Sequence, residues 1–194
     1  MGQVKGAALR EFVVWYQERH GSARLAEKIA GLPPDIARQL NFDRSHIGVL
    51  ASAWYPAAAI HALLDSLLAG MSVDEQAVLA REGAEAIMNA TLRGIYRMLF
   101  AMLMSPERYL RSAQVLWNRY YDDGEVRKTV EGPTLHRTVI TGWTSHHRFL
   151  CDMHVESGRA IYREMGLADV SGERVSCVSR GDKACAFLIR WRKR

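Results

Sequence analysis

Apolar positions up to residue 120 recur every three or four residues, the spacing of helices with one buried face. Leu9, Phe12, Val13 and Tyr16 form the first stripe, and Gly21 ends it. Residues 22 to about 40 predict short helices broken by Pro33-Pro34. A further helix is expected from Trp54-Tyr55-Pro56 to Gly70, which suits a C-terminal stop. Ser72-Val73-Asp74-Glu75 reads as a capping box. The long helix it opens carries Val78, Leu79, Ala86, Ile87, Leu92, Ile95, Met98, Leu99 and Met102, and stops before Ser105-Pro106. Ser105 as cap, with Pro106 at the first helical position, opens the next helix, whose broad apolar face includes Tyr109, Ala113, Trp117 and Tyr120.

The pattern then changes character. Glu125 to Glu131 and Leu135 to Thr141 are short, β-branched and joined by Gly132-Pro133, as in two antiparallel strands. Thr144-Ser145 can cap a helix from His146 to Met165, with Gly166 after it. Val170 to Ser179 and Ala184 to Trp191 supply two more strands around the turn Gly181-Asp182. The order helices, hairpin, helix, hairpin predicts an α+β fold. An N-terminal helical bundle packs on one face of a four-stranded antiparallel sheet. Residues 1–45 are expected as a helical extension integrated with a domain spanning 46–194.

Composition narrows the setting. With 194 residues, 48% of them hydrophobic and 24% charged, the chain can bury a core without disulfides. Met1 to Lys5 lack the layout of a signal peptide, and no apolar run is long enough to span a bilayer. A cytoplasmic location follows as the expectation, and there thiols stay reduced. The net charge of +5 is uneven, since Arg190-Trp191-Arg192-Lys193-Arg194 ends the chain. It reads as a solvated end, because no helix combines basic and base-reading residues in a nucleic-acid-binding pattern.

All three cysteines, Cys151, Cys177 and Cys185, fall in the last 44 residues. A hairpin sets Cys177 across from Cys185, and a helix packed over the sheet brings Cys151 near both. Three thiolates are soft donors suited to Zn²⁺, which takes four ligands in a tetrahedron. Glu173 is four residues before Cys177 and faces the same way on a regular strand. His147 and His154 are alternatives on the helical face of Cys151. The competing reading is three small buried hydrophobes.

Cys151, Gly158, Gly166 and the closing Cys177…Gly181-Asp182-x-x-Cys185-x-Phe187 resemble the end of the four-vinyl-reductase (V4R) domain. Ser105-Pro106-x-x-Tyr109…Trp117…Tyr120-Tyr121…Gly124 is similar to related myxobacterial proteins. The likeness covers roughly residues 50 to 191. It implies a ligand-binding module related to the haem nitric-oxide sensor fold and to small subunits of the Golgi TRAPP tether. In aromatic sensors of this family three cysteines and a glutamate hold zinc. The glutamate would fall on position 174, which is Arg174 here, one residue from Glu173. The implied site is structural, closing the hairpin onto the helix.

The resemblance also implies an apolar cavity between the long helices and the sheet. Met88, Tyr96, Phe100, Met104 and Trp117 are the expected lining, and Arg93 and Arg97 could meet an anionic head group. The haem sensors of the fold carry Tyr-x-Ser-x-Arg for the propionates. This chain lacks it, so haem is not expected. Gly-x-Ser-x-Gly, a phosphate-cradling glycine loop and His-Glu-x-x-His are absent, and Asp122-Asp123-Gly124 reads as a turn. The chain is therefore read as a non-catalytic sensor-type domain. Its ligand would be apolar, aromatic or lipid-like, and it would signal by protein contact, including a homodimer. The alternative is a scaffolding module with a filled core, resembling the tethering subunits.

Overall fold

The structure, a computed structural model, describes residues 2–40, 45–93 and 105–192. The chain opens with strand β1 (Gln3–Lys5), followed by helices α1 (Gly6–His20), α2 (Ser22–Ala30) and α3 (Pro34–Ala37). Strand β2 (Trp54–Pro56) leads into α4 (Ala57–Leu68) and α5 (Val73–Arg93). Helix α6 (Pro106–Trp117) precedes β3 (Glu125–Gly132) and β4 (Leu135–Thr141). Helix α7 (Arg148–Glu164) then connects to β5 (Ala168–Ser176) and β6 (Cys185–Arg192).

Capping chemistry sets several of these boundaries. Ser72 N donates to the Glu75 carboxylate at 2.7 Å while Glu75 N donates back to Ser72 Oγ at 3.3 Å. Arg108 N donates to Ser105 Oγ at 3.2 Å, with Pro106 at the first position of α6. Helix α7 begins two residues later than expected. Its cap is His147, whose Nδ1 accepts from Phe149 N at 3.1 Å. Thr144 and Ser145 serve Asp123 instead: Thr144 Oγ1, Ser145 N and Ser145 Oγ all donate to its carboxylate at 2.6–2.7 Å. Burial alone would raise the Asp123 carboxyl. The bonds from Ser145 and Thr144 outweigh it and hold the group below the ordinary range.

Four antiparallel strands form one sheet in the order β3-β4-β6-β5. The α+β expectation holds, with a second sheet it did not include: β1 pairs antiparallel with β2. A bridge from Val4 to Tyr121 ties this short sheet to the connection between α6 and β3. Three-residue strands are too brief to show a period of two, so the residues around Trp54 read as a helix start.

Helix α7 lies on the sheet, and glycines set how close it comes. A Cβ at Gly158 would stand 3.2 Å from Ile189 Cδ1, and one at Gly172 would stand 2.9 Å from Val155 Cγ1. Tyr162, Phe149, Ile140 and Ile189 are fully buried along this interface. Each such side chain contributes roughly 1.5–3 kcal/mol by leaving water. On the other side α1 meets α5, where Gly83 admits the Phe12 ring. Trp191 is also buried, 5.1 Å from Tyr162, so β6 carries the basic end into the sheet as far as Arg192, which pairs with Asp169 at 2.9 Å. Among the described residues no single helix is long and apolar enough to cross a membrane.

Candidate functional site

The sulfurs of Cys151, Cys177 and Cys185 converge where the β5–β6 hairpin meets α7, and His146 completes the group. Their four donor atoms all lie within 4.8 Å of one another. Cys177 Sγ is 3.4 Å from His146 Nε2 and 3.9 Å from Cys185 Sγ. A tetrahedral centre with bonds of about 2.0–2.3 Å has donor–donor edges of roughly 3.3–3.8 Å, so a modest contraction of the group would suit a four-coordinate ion. All three cysteines are buried and none is in a disulfide.

Local structure explains the convergence. Gly181 adopts φ +87° and turns the hairpin, and Asp182 accepts from Cys177 N at 2.7 Å. Val178 N donates toward Cys185 Sγ at 3.4 Å. The hydrogen bond from Cys151, then those from His146 and Val178 N, hold Cys185 well below the ordinary thiol range against its burial. Donating that bond pushes the Cys151 thiol up. The group is thus prepared to keep a thiolate, the form that binds metal.

Glu173 does not join the cluster. Between Arg174 and Ser176 the β5–β6 register shifts, so β5 carries an extra residue just before Cys177. The bulge reverses the in-and-out parity on which the Glu173 expectation rested. Glu173 is exposed. Arg174 instead turns toward α7, where its guanidinium lies 2.6 Å from the Asp152 carboxylate. His146 precedes the first turn of α7, so helical spacing from Cys151 gave no signal for it. The two histidines that spacing did favour are engaged elsewhere. His147 caps α7 and sits 3.1 Å from Asp65, while His154 Nε2 is 2.9 Å from Tyr121 Oη.

Beyond α7, the helices and sheet line a partly open cavity of about 220 Å³. Met88 and Trp117 line it, as do Phe12, Leu64, Tyr109 and Phe187. Tyr96, Arg97, Phe100 and Met104, together with the side chain of Arg93, lie outside the described residues. Trp117 is fixed by donation from its indole N–H to Asp123 O at 2.6 Å and stacks on Tyr121 at 4.2 Å. Two wall residues carry nitrogen bases. Burial lowers His154 to about 4 and Lys128 to about 7, so the imidazole is neutral at pH 7.

No family model and no curated protein matches the chain. Solved structures do. An Fe(II) unliganded H-NOX protein from K. algicida is similar with a TM-score of 0.69 at 14% identity, covering 98% of this chain and 97% of that one. An S. oneidensis H-NOX protein in the Fe(II)NO ligation state gives 0.68 at 10% identity over 97% and 99%. A structure probing haem distortion in the H-NOX family gives 0.62 at 10% identity over 97% and 95%. The chain therefore has the H-NOX fold along nearly its whole length. These neighbours correct the exclusion of haem drawn from the missing Tyr-x-Ser-x-Arg: the fold is one in which haem-bearing proteins are found, so one missing motif does not remove haem from consideration.

Proposed function

We propose that the chain is a sensor-type, V4R-like domain that takes a small, largely apolar ligand into the cavity between its helices and sheet and passes the signal on by protein contact. The observation that carries this reading is the cavity itself. A fold of this size ordinarily packs its interior to near crystal density, yet about 220 Å³ stays open behind Trp117, Tyr121 and Phe187. For scale, an engineered apolar cavity of roughly 150 Å³ binds benzene. Aromatic and methionine side chains around the space suit an aromatic or lipid-like occupant.

Haem is one candidate occupant. His154 is the sole imidazole among the described cavity residues, and its neutral state suits it to hold iron. Bound there, haem would supply an iron atom open to a diatomic ligand, such as the NO of the S. oneidensis neighbour. Tyr121 would have to release the imidazole nitrogen it now meets at 2.9 Å.

The Cys151, Cys177, Cys185 and His146 donors support a second element of the proposal, a closed metal centre that clamps the hairpin to α7. Four protein ligands leave no open position, which assigns such a centre to structure. Residues 1–45 belong to the same unit as 46–194 in this reading, supported by Val4 and Phe12, which reach the cavity wall from the N-terminal segment.

Native mass spectrometry and an absorbance spectrum of protein purified without added ligand test the proposal. A co-purifying lipid or aromatic mass, or a haem band, is the expected result. A clean apo mass, together with failure to take up aromatic probes, would favour the scaffolding alternative.

A further inference from the structure

Lys128 occupies an inward position of the sheet. On β3 the side chains of Glu125, Arg127 and Thr129 are exposed, while Val126 and Lys128 face the cavity. Alternation on a half-buried strand should place an apolar residue there. The ammonium group instead donates to Thr138 Oγ1 at 2.9 Å and sits 4.3 Å above the Tyr109 ring and 5.6 Å from that of Phe187. Among the described residues no Asp or Glu pairs with it. Charges drawn out of water are ordinarily paired, so a cation on a cavity wall with no counter-ion among the described residues calls for one from the occupant.

We propose that the occupant is an apolar molecule bearing a carboxylate, which Lys128 pairs with while the rings of Tyr109, Trp117 and Phe187 enclose its apolar body. This rests on the cavity-binding reading above and adds the chemical class of the ligand. One cation with one neighbouring hydroxyl, Thr138, matches a single negative charge better than a phosphate dianion, whose desolvation would need further cations. The other titratable groups around Lys128 do not compete for the anion. His136 on β4 and His154 on α7 are kept neutral by burial and by Lys128 itself, and burial raises Tyr109 on α6.

The test compares naphthoic acid with naphthamide, which share size and shape and differ in charge, by fluorescence titration of the full chain. Wild type should bind naphthoate at least about tenfold more tightly, the low end for a hydrogen bond to a charged partner. The preference should fall as pH rises above 7, because Lys128 must be protonated to pair. Lys128→Met should keep naphthamide affinity and lose the preference, and Lys128→Arg should retain it. Equal affinity for the two probes in wild type, or an unchanged preference in Lys128→Met, overturns the proposal while leaving the cavity reading intact. Failure of wild type to bind either probe overturns both. A haem band in purified protein that weakens in Lys128→Met assigns the carboxylate to a propionate. A colourless protein with the naphthoate preference assigns it to a free apolar acid.

Discussion

Replacing Lys128 by methionine should stabilise the ligand-free protein. The lysine falls from an ordinary 10.5 to about 7 on folding, solely because burial disfavours its charge. The folded state therefore binds fewer protons than the unfolded state between those values. Stability then rises with pH across that window, and the cost of the charge is complete below pH 7. At 1.36 kcal/mol per unit the drop corresponds to roughly 4–5 kcal/mol. Water entering the cavity and relaxation around the ammonium reduce it to on the order of 2–4 kcal/mol at pH 7. At pH 9 the unfolded lysine is only 1.5 units below its own titration, and the advantage shrinks to about 1–2 kcal/mol. Methionine keeps the length of the stem and the contacts with Tyr109 and Phe187. Urea unfolding of both proteins at pH 7 and pH 9, followed by circular dichroism, reads the difference. A variant no more stable than its parent at pH 7, or an advantage that grows toward pH 9, would refute the argument that drawing Lys128 out of water costs more than Thr138 and the Tyr109 and Phe187 rings return.

Three other outcomes follow from the same geometry. His146→Ala and Cys177→Ser should each lose stoichiometric divalent metal and melt at lower temperature, whereas Glu173→Ala should keep both; elemental analysis beside thermal unfolding decides, and metal loss on Glu173→Ala would restore the regular-strand reading. Gly83→Ala should cost about 1–3 kcal/mol despite the better helix propensity of alanine, since its Cβ would stand 2.6 Å from the rigid Phe12 ring. Asp123→Ala should cost about 1–2 kcal/mol at pH 7 by freeing Ser145 N and two hydroxyls, and the parent should lose that same increment as acid protonates the carboxyl below the ordinary range; no change in an acid-unfolding midpoint would count against the cap.

The parts of the fold that were legible in the sequence are those whose cause is local. A serine three residues before a glutamate specifies its own helix start, and Ser72 and Glu75 bond as such a pair does. The β3–β4 hairpin is likewise written in contiguous β-branched residues around Gly132-Pro133, and its strands fall within a residue of the expected limits. The sulfurs meet as the spacing suggested, because helix packing and a turn suffice to bring them together. The missed features depend on partners distant along the chain. Strands β1 and β2 form by pairing with each other and with the residues around Tyr121, all distant along the chain. Glu173 failed because a bulge, which leaves no compositional mark, sits between it and Cys177. His146 was expected as the first residue of the helix that carries Cys151, and nothing short of three dimensions separates such a residue from a sulfur's neighbour. Lys128 looked like any strand lysine until the register paired it with the buried Thr138.

Helix α7 carries Cys151 toward the sulfur cluster and, three residues on, His154 toward the cavity. In the proposed reading, an ion at Cys151 and a molecule at His154 would lean on adjacent turns of one helix. Thermodynamic reciprocity then applies: whatever fraction by which chelation loosens the guest, the guest must tighten the ion by the same factor.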